Sequence, residues 1–184
     1  MSKILKRIEF GNPTLRAKAR RLSKDEILSE EIQQLIENIR YTVEKKKYGV
    51  GMAAPQVGAS VAVSVIAIKP TPTRPDVKPF DSVIINPEVI EVFGKPQPMW
   101  EACLSFGTPS SYPYAQAVRH DKIRVRYLDE QAKEQEEIIE GFVAQVFQHE
   151  TDHLDGILFV DKVKDTKSYI TLSEYKKLRK NKPA

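Results

Sequence analysis

The residues with the clearest chemical potential form a His-Glu-Thr-Asp-His run at positions 149–153. Residues four apart lie on one face of a helix, so the imidazoles of His149 and His153 can bind one ion. Glu150 lies beside them, and its carboxylate can take a proton from metal-bound water and pass it to a leaving amine. The alternative is a pair of surface histidines on an amphipathic helix. Against it, two of the three histidines of the sequence lie in this run.

A catalytic metal needs about three protein ligands and one open position, so a third ligand must come from elsewhere in the chain. No histidine follows His153, and Asp155, Asp161 and Glu174 lie in contexts without a metal-binding pattern. The lone cysteine, Cys103, is the better candidate. A thiolate and two imidazoles would form a tetrahedral site with one position left for water. A single cysteine is otherwise most often a small buried apolar side chain.

Three segments together resemble, in order, the signature motifs of the peptide deformylases: GVGMAAPQ at 49–56, EACLS at 101–105 and QHETDH at 148–153. The resemblance extends from a Pro-Thr-Leu-Arg run at 13–16 to His-Leu-Asp-Gly-Ile-Leu-Phe at 153–159. It implies an enzyme that removes the formyl group from the initiator methionine of new bacterial-type polypeptides. N-formyl-methionyl nascent peptides would then be its partners.

The resemblance also implies a role for individual residues. The implied metal ligands are Cys103, His149 and His153, and Glu150 is the implied acid and base. Attack of metal-bound water on the formyl carbonyl forms a tetrahedral anion, which needs fixed hydrogen-bond donors. The implied donors are the side-chain amide of Gln56 and the backbone N–H of Leu104. Ligand types alone would favour Zn²⁺, whereas the resemblance implies one Fe²⁺ in the cell, with Ni²⁺ or Zn²⁺ able to substitute.

The turns of the predicted helix before His149 carry a largely apolar surface. Phe142, Gln145 and Val146 lie one and two turns before His149 on the same face, so the metal would border a surface able to take a methionine side chain. These side chains could equally belong to the ordinary core. Gln145 is a polar residue in this wall and could narrow or redirect the substrate preference.

The glycine-rich segment at 49–56 supports the same pocket through the resemblance. Val50 and Met99 match family positions around the methionine pocket, and the segment that contains Gly51 lies along the substrate in the family. Bare backbone at Gly49 and Gly51 would let a peptide main chain approach closely. The alternative is a simple turn between a helix and a strand.

Two features depart from the family pattern, and they keep other functions open. Ala102 stands where the family has glycine, which adds crowding, or strain if the position needs a positive φ. The segment 105–118 lacks an arginine that some members carry, whereas Arg119 matches a family arginine that pairs with Glu101. A paralogue with weak activity or a different acyl-peptide specificity is therefore one alternative. A noncatalytic ribosome-associated protein is the other, although retention of Glu150 speaks against it.

Composition predicts one folded domain, and the resemblance implies that residues 1–184 form a single catalytic domain. The sequence is 41% hydrophobic and 29% charged, which excludes disorder, collagen-like repeats and an integral membrane protein. One cysteine suits a reducing compartment. The first ten residues lack the apolar core of a signal peptide, and no apolar run approaches the roughly 20 residues that cross a bilayer. A cytoplasmic protein without a membrane partner is expected.

Hydrophobic periodicity predicts an α+β fold, because helices and strands occur in blocks. The resemblance adds antiparallel or mixed sheets around a central metal-binding helix. Proline-rich residues 69–80 are expected to form a surface loop, and Gly156 to end the second helix. The predicted helices are Ser29–Lys47, Phe142–Leu154 and Thr166–Arg179, and the predicted strands are Val61–Ile68, Ser82–Ile85, Val89–Phe93, Lys122–Leu128 and Gln135–Glu140.

The positive charge is concentrated at the C-terminus. The formal net charge is +4, and residues 164–184 carry seven Lys or Arg against two acids, so the rest of the chain is close to neutral. The last helix, about 166–180, could dock on ribosomal RNA or be a solvated charged end; no DNA partner is indicated. Activity on short peptides should not depend on it. Its basic residues are Lys176, Lys177, Arg179, Lys180 and Lys182.

Overall fold

The computed structural model describes residues 2–46, 49–108 and 112–180. Its helices are α1 (Lys24–Ile27), α2 (Glu30–Lys46), α3 (Gly141–Leu154) and α4 (Leu172–Lys180). Its strands are β1 (Gly51–Ala53), β2 (Val63–Ile68), β3 (Phe80–Phe93), β4 (Gln97–Glu101), β5 (Ala115–Arg119), β6 (Lys122–Leu128) and β7 (Glu134–Glu140). Short 3-10 turns connect several of them.

The strands form two antiparallel sheets. Five strands pair in the order β1-β2-β3-β6-β7, and β4 pairs with β5 in a separate ribbon. The predicted α+β class is confirmed, and antiparallel pairing is the first of the two alternatives that the resemblance allowed.

Helices α2 and α3 cover opposite faces of the larger sheet. On β2, Val63 and Val65 pack in one core cluster with α2, whereas Ile66 and Ile68 pack in a second cluster with α3. Successive side chains of a strand point to opposite faces, so a strand covered on both sides is apolar throughout. This explains why the sequence of β2 has no polar alternation. The buried residues of α2 are Ile32, Ile36, Ile39 and Val43.

The helix predicted over Ser29–Lys47 is α2, which ends at Lys46; Lys47 lies outside the described residues. Apolar side chains at helical spacing carried this prediction, and they form the buried face. The helix predicted over Phe142–Leu154 is α3, which begins one residue earlier at Gly141. It ends at Leu154, as expected from Gly156.

The prediction of two strands around residues 86–88 was wrong, because β3 runs through them. Asn86 has a positive φ of 51°, and the pairing with β6 shifts register between Ile85 and Glu88. The Asn86 side chain accepts a hydrogen bond from the Leu22 N–H at 2.9 Å and donates to the Leu22 carbonyl at 2.8 Å. An Asn-Pro pair therefore marks an irregularity inside a strand rather than its end.

Three strands were not predicted at all. Strand β1 has three residues and lies in the glycine-rich segment, and β4 contains Pro98, which usually argues against a strand. Strand β5 begins at Ala115, inside the segment 105–118, where the sequence predicts no strand. Residues 109–111 of that segment lie outside the described residues.

The last predicted helix is shorter than expected. Residues 166–168 form a 3-10 turn, the chain is extended at 169–171, and α4 begins at Leu172. The extended backbone is required because Tyr114 and Ile170 exchange both backbone hydrogen bonds, at 2.9 and 2.8 Å. The Lys180 side chain and Lys182 lie outside the described residues. No helix in the described ranges is long and apolar enough to cross a membrane.

Replacing Gly156 by alanine should destabilise the fold far more than the same change at Gly94. Both glycines have a positive φ, +72° and +70°, but a Cβ at Gly156 would strike the Arg16 carbonyl, whereas Gly94 has open space around it. We expect losses in unfolding free energy of about 1 kcal/mol for Gly94→Ala and about 3 kcal/mol or more for Gly156→Ala, measured by urea denaturation. Equal losses would contradict the close approach at Gly156.

Candidate active site

Cys103, His149 and His153 meet at one point. Cys103 follows β4, and the two histidines lie one turn apart on α3. The Cys103 Sγ and His153 Nε2 are 3.2 Å apart, and one potential ligand atom from each of the three residues lies within 4.8 Å of the others. The two imidazole rings are nearly perpendicular, with centroids 4.9 Å apart. The three residues expected to bind a metal are thus brought together.

A tight turn holds the cysteine sulfur in place. Cys103 precedes the 3-10 turn 104–106, and its Sγ accepts a hydrogen bond from the Ser105 N–H at 3.5 Å. The Gln56 amide nitrogen is 3.6 Å from the same sulfur and donates to the Ser105 hydroxyl at 3.2 Å. The other end of that amide accepts from the Ala53 N–H at 2.9 Å. Gln56 is therefore fixed with its N–H groups beside Cys103.

A buried ionic cluster links the strand before Cys103 to α3. Arg119 on β5 contacts both oxygens of Glu101, at 2.8 and 3.0 Å, and also pairs with Asp152. Glu101 Oε2 lies 3.0 Å from His149 Nδ1, so it orients this ring and leaves Nε2 free to face the cysteine side. Burial opposes the charge on Glu101, but its partners outweigh burial and lower its pKa to about 2. The expected Arg119–Glu101 pair is present.

Glu150 is buried against the glycine-rich segment. A Cβ at Gly51 would come within 2.5 Å of Glu150 Oε1, so only glycine leaves room for this carboxyl group. The other oxygen, Oε2, is buried and receives no hydrogen bond from the described part of the chain. Burial raises the Glu150 pKa to about 7. A carboxyl group with a pKa near neutrality and an unpaired oxygen can both accept and donate a proton.

The two histidines differ in their electrostatic surroundings. Burial disfavours a charged His149, but hydrogen bonds with Cys103 and Glu101 raise its pKa well above the ordinary value. Burial lowers the pKa of His153 well below the ordinary value, and the charges of His149 and Arg119 lower it further. The sulfur and Glu101 thus favour a positive charge on the His149 ring, which contacts both of them.

A cavity of about 500 Å³ opens above these groups. Its lining includes every residue that the sequence predicted for substrate binding or catalysis other than metal binding. Cys103 and His153 are buried and do not line it, whereas His149 lines it with a side chain that is 12% exposed. The predicted residues in the lining are Val50, Gly51, Gln56, Met99, Leu104, Phe142, Gln145, Val146 and Glu150.

Gln145 and Ala102, two residues that the sequence singled out beside the pocket, have different structural consequences. Gln145 donates its amide to the Trp100 carbonyl at 2.9 Å and lies 3.4 Å from Glu101 Oε1, so it ties α3 to β4. Ala102 lines the cavity but has no positive φ, because the described non-glycine residues with positive φ are Asn86 and Ala132. Backbone strain at Ala102 is therefore excluded, and its methyl group narrows the cavity.

The sequence did not indicate the outer wall of the cavity. Helix α4 folds across its mouth, so the expectation that short-peptide activity is independent of the C-terminal helix loses its basis. The residues of this wall are brought together by the packing of α4 and of loop 69–79, which no local sequence pattern predicts. The lining residues that the sequence reasoning missed are Arg74, Pro98, Trp100, Tyr112, Tyr114, Tyr175, Leu178 and Arg179.

The donor set fits a divalent transition metal. One sulfur and two imidazole nitrogens suit Zn²⁺ or Fe²⁺, whereas Mg²⁺ and Ca²⁺ prefer oxygen ligands. Three protein ligands leave one position of a tetrahedral ion for water, and His149 and Glu150 both line the cavity. The carboxylate that supports His149 from behind is the usual partner of a metal-binding histidine.

Comparisons with known proteins agree with this geometry. The family model described as polypeptide deformylase matches residues 4–169. Peptide deformylase 2 of Nostoc is 39% identical over 173 residues, which cover 93% of this chain and 92% of the relative. The peptide deformylase of Aquifex aeolicus is 38% identical over 159 residues, covering 86% and 89%.

Solved structures give the same result. The class I type b peptide deformylase of Acinetobacter baumannii, with Met-Ala-Ser bound, has a TM-score of 0.80 and 35% identity, covering 89% of this chain and 100% of that one. The peptide deformylase of Thermotoga maritima has a TM-score of 0.73 and 33% identity, covering 89% and 99%. Because the matches span most of both chains in sequence as well as in fold, the chain belongs to the peptide deformylase family of hydrolases.

Proposed function

We propose that this site removes the N-formyl group from the N-terminal methionine of newly synthesised polypeptides. The observation that carries the proposal is the convergence of Cys103, His149 and His153 beside the buried carboxyl group of Glu150 at the floor of a peptide-sized cavity. Water and the formamide give formate and a free amine, so the reaction needs one proton moved from water to nitrogen. A noncatalytic binding protein would have no use for Glu150 in this position.

Cys103, His149 and His153 would hold one divalent ion, Fe²⁺ in the cell, with Zn²⁺ or Ni²⁺ able to substitute. When bound, the ion supplies Lewis-acid chemistry: it lowers the pKa of a coordinated water and polarises a carbonyl oxygen. Glu101 keeps the His149 ring oriented for this role through its contact with Nδ1. A thiolate-ligated ferrous ion that is open to solvent should be oxygen-sensitive, so activity is to be measured without air.

Glu150 would move the proton. Its unpaired oxygen Oε2 would accept the proton of the attacking water and then give it to the departing amine nitrogen. A pKa of about 7 suits both steps near neutral pH. Gly51 supports the role because it lets the Glu150 side chain lie against the backbone of β1.

Gln56 and Leu104 would stabilise the anion that develops on the formyl oxygen. The Gln56 amide is fixed at both ends and borders the cavity, and Leu104 follows Cys103 directly. The donors would be the side-chain N–H of Gln56 and the backbone N–H of Leu104. Donors held in place before the reaction cost no reorganisation when the charge appears.

The methionine side chain would lie against the apolar part of the cavity. Phe142 and Val146 on α3 line this space together with Val50 and Met99. Gln145 is held at the wall by its bond to the Trp100 carbonyl. The peptide main chain would follow β1, which is an edge strand of its sheet and can pair with an extended peptide.

The same proposal includes the setting of the enzyme. The chain would act as a single catalytic domain over residues 1–184 in the cytoplasm. A buried lone thiol that serves as a metal ligand suits a reducing compartment.

A second role, docking on the ribosome through α4, is favoured by its exposed lysines. Lys176 and Lys177 are exposed, whereas Tyr175 and Leu178 of the same helix face the cavity. The helix would therefore offer its basic side to phosphate groups without giving up its place in the cavity wall. Contacts of this kind weaken steeply with salt.

Replacing Glu150 by glutamine should abolish turnover while leaving the metal ligands in place. With Fe²⁺ and without air, formate release from formyl-Met-Ala-Ser should fall by about 10²–10⁴-fold in kcat, because the amide cannot carry the proton. Glu9→Gln, an exposed change elsewhere, serves as the control. Release by the Glu150 variant at the wild-type rate, or none by the wild type, would refute the mechanism.

Removing both exposed lysines of α4 should weaken ribosome binding. In Lys176→Gln/Lys177→Gln, the slope of log binding constant against log salt should fall by roughly 1–2, because two phosphate contacts are lost. The measurement is cosedimentation with ribosomes over a range of salt concentrations, with the exposed pair Lys3→Gln/Lys6→Gln as the matched control. Unchanged binding at low salt would argue against docking through α4.

A further inference from the structure

Two arginines from separate parts of the chain lie at the mouth of the cavity. Arg74 belongs to the loop between β2 and β3, and Arg179 belongs to α4; both line the cavity. The Arg179 Nη2 donates a hydrogen bond to the Thr73 carbonyl at 2.6 Å, so it lies next to the residue that precedes Arg74. Two positive charges therefore share one wall.

Neither arginine has an acidic partner among the described residues. In the described ranges, no carboxylate oxygen lies within 4.0 Å of the Arg74 or Arg179 guanidinium, although most other arginines have such a partner. The Arg74 Nε is buried and has no hydrogen-bond partner in this part of the chain. Burial and the repulsion of Arg179 lower the pKa of Arg74. A bound anion would relieve both the repulsion and the missing hydrogen bond.

Arg74 is held in position by an aromatic ring. Its guanidinium carbon is 3.9 Å from the centroid of the Phe142 ring, at the start of α3. A stacked guanidinium keeps the N–H groups at its edge available for hydrogen bonds. Phe142 belongs to the proposed methionine pocket, so Arg74 lies at the border of that pocket.

The reach of a bound peptide matches this position. Phe142 precedes His149 by seven residues, which corresponds to roughly 10 Å along a helix axis. An extended peptide advances about 3.3–3.6 Å per residue. An extended peptide whose formyl group lies near His149 covers a distance of this size by its second or third residue.

We propose that Arg74 and Arg179 form a carboxylate subsite that favours formyl-methionyl peptides with a negative charge on the second or third residue. This inference rests on the proposed deformylase function. The carboxylate would come from an acidic side chain or from the C-terminus of a short peptide. Arg179 gives one N–H to the Thr73 carbonyl and keeps its other donors. Together with the stacked Arg74 guanidinium, these donors can bind such a group by charge-assisted hydrogen bonds.

Aromatic packing fixes the α4 half of this subsite. The Tyr175 ring stacks on Tyr114, with centroids 4.3 Å apart, and lies 5.6 Å from Trp100. These contacts hold α4 against β4 and β5, and so place Arg179. Trp100 also lines the cavity and is the only tryptophan in the sequence. Its fluorescence can therefore report peptide binding without any turnover.

The experiment compares peptides that differ only in the carboxylate. Binding of Met-Ala-Ser, its C-terminal amide, Met-Ala-Glu amide and Met-Glu-Ser amide to the full chain is titrated by Trp100 fluorescence. Each carboxylate peptide should bind roughly tenfold more tightly than Met-Ala-Ser amide, the ratio that one charge-assisted hydrogen bond supplies. Met-Ala-Ser carries its carboxylate at the C-terminus, and the two glutamate peptides carry it on a side chain. Comparing them shows which kind of carboxylate the subsite binds.

Variants connect the preference to the two arginines. In Arg74→Gln and in Arg179→Gln, the ratio of the affinity for a carboxylate peptide to that for Met-Ala-Ser amide should fall toward one. Arg124→Gln removes the same charge from β6, outside the cavity lining, and should leave this ratio unchanged. Circular dichroism tests whether each variant is folded. Arg74→Lys keeps the positive charge and should therefore retain part of the preference for carboxylate peptides. Equal affinity for charged and neutral peptides in the wild type, or an unchanged ratio in both variants, would overturn the subsite.

A separate readout distinguishes this inference from the deformylase proposal. Formate release from formyl-Met-Ala-Ser amide tests turnover on a peptide without a carboxylate. Turnover of the amide with no preference for the carboxylate peptides would refute the subsite alone. A preference for carboxylate peptides without formate release from any formyl peptide would refute the deformylase function and, with it, the role given to the subsite.

Discussion

The buried contact between Glu101 and Arg119 is the interaction on which the active site depends. Glu101 lies two residues before Cys103, and its carboxylate contacts both Arg119 and the His149 ring. Arg119 in turn pairs with Asp152, inside the His-Glu-Thr-Asp-His run. One cluster thus joins the β4–β5 ribbon to α3. Loss of one partner would leave a buried charge uncompensated, which costs about 3–5 kcal/mol in comparable clusters.

Close backbone approach is the second constraint on the site. A Cβ at Gly49 would meet Leu104 at 2.7 Å, and one at Gly51 would meet the Glu150 carboxyl group at 2.5 Å. The glycine-rich segment around β1 therefore leaves room for Leu104, in the turn after Cys103, and for the Glu150 side chain of α3. The sequence suggested room for a peptide main chain; the structure adds room for the chain's own side chains.

Features with a local signal could be predicted from the sequence. Helices α2 and α3 follow from apolar periodicity, and Gly156 ends α3 because a left-handed residue is needed there. The spacing of His149 and His153 was enough to place both on one face. The spacing of residues left Cys103 open as either a metal ligand or a small buried side chain. Its approach to α3 depends on the Glu101–Arg119 contact, which joins segments that are distant in the sequence.

Features that depend on tertiary packing could not be predicted. Strands β4 and β5 are short and carry no clear strand pattern in their sequences, and their pairing with each other stabilises the extended backbone. The continuous β3 needs the Asn86 side chain to bind the Leu22 backbone, which no local pattern reveals. The sequence of α4 is typical of a solvated basic end, yet Tyr175 and Arg179 line the cavity. The pairing of Ile170 with Tyr114, just before α4, holds the helix there.

The central claim is that Cys103, His149 and His153 bind one metal ion together. X-ray absorption on the Zn²⁺-loaded protein tests it most directly. We expect one ion per chain with one sulfur at about 2.3 Å and two imidazole nitrogens at about 2.0–2.1 Å, and loss of the sulfur in Cys103→Ala. A zinc shell without sulfur, or a spectrum that Cys103→Ala leaves unchanged, would contradict it.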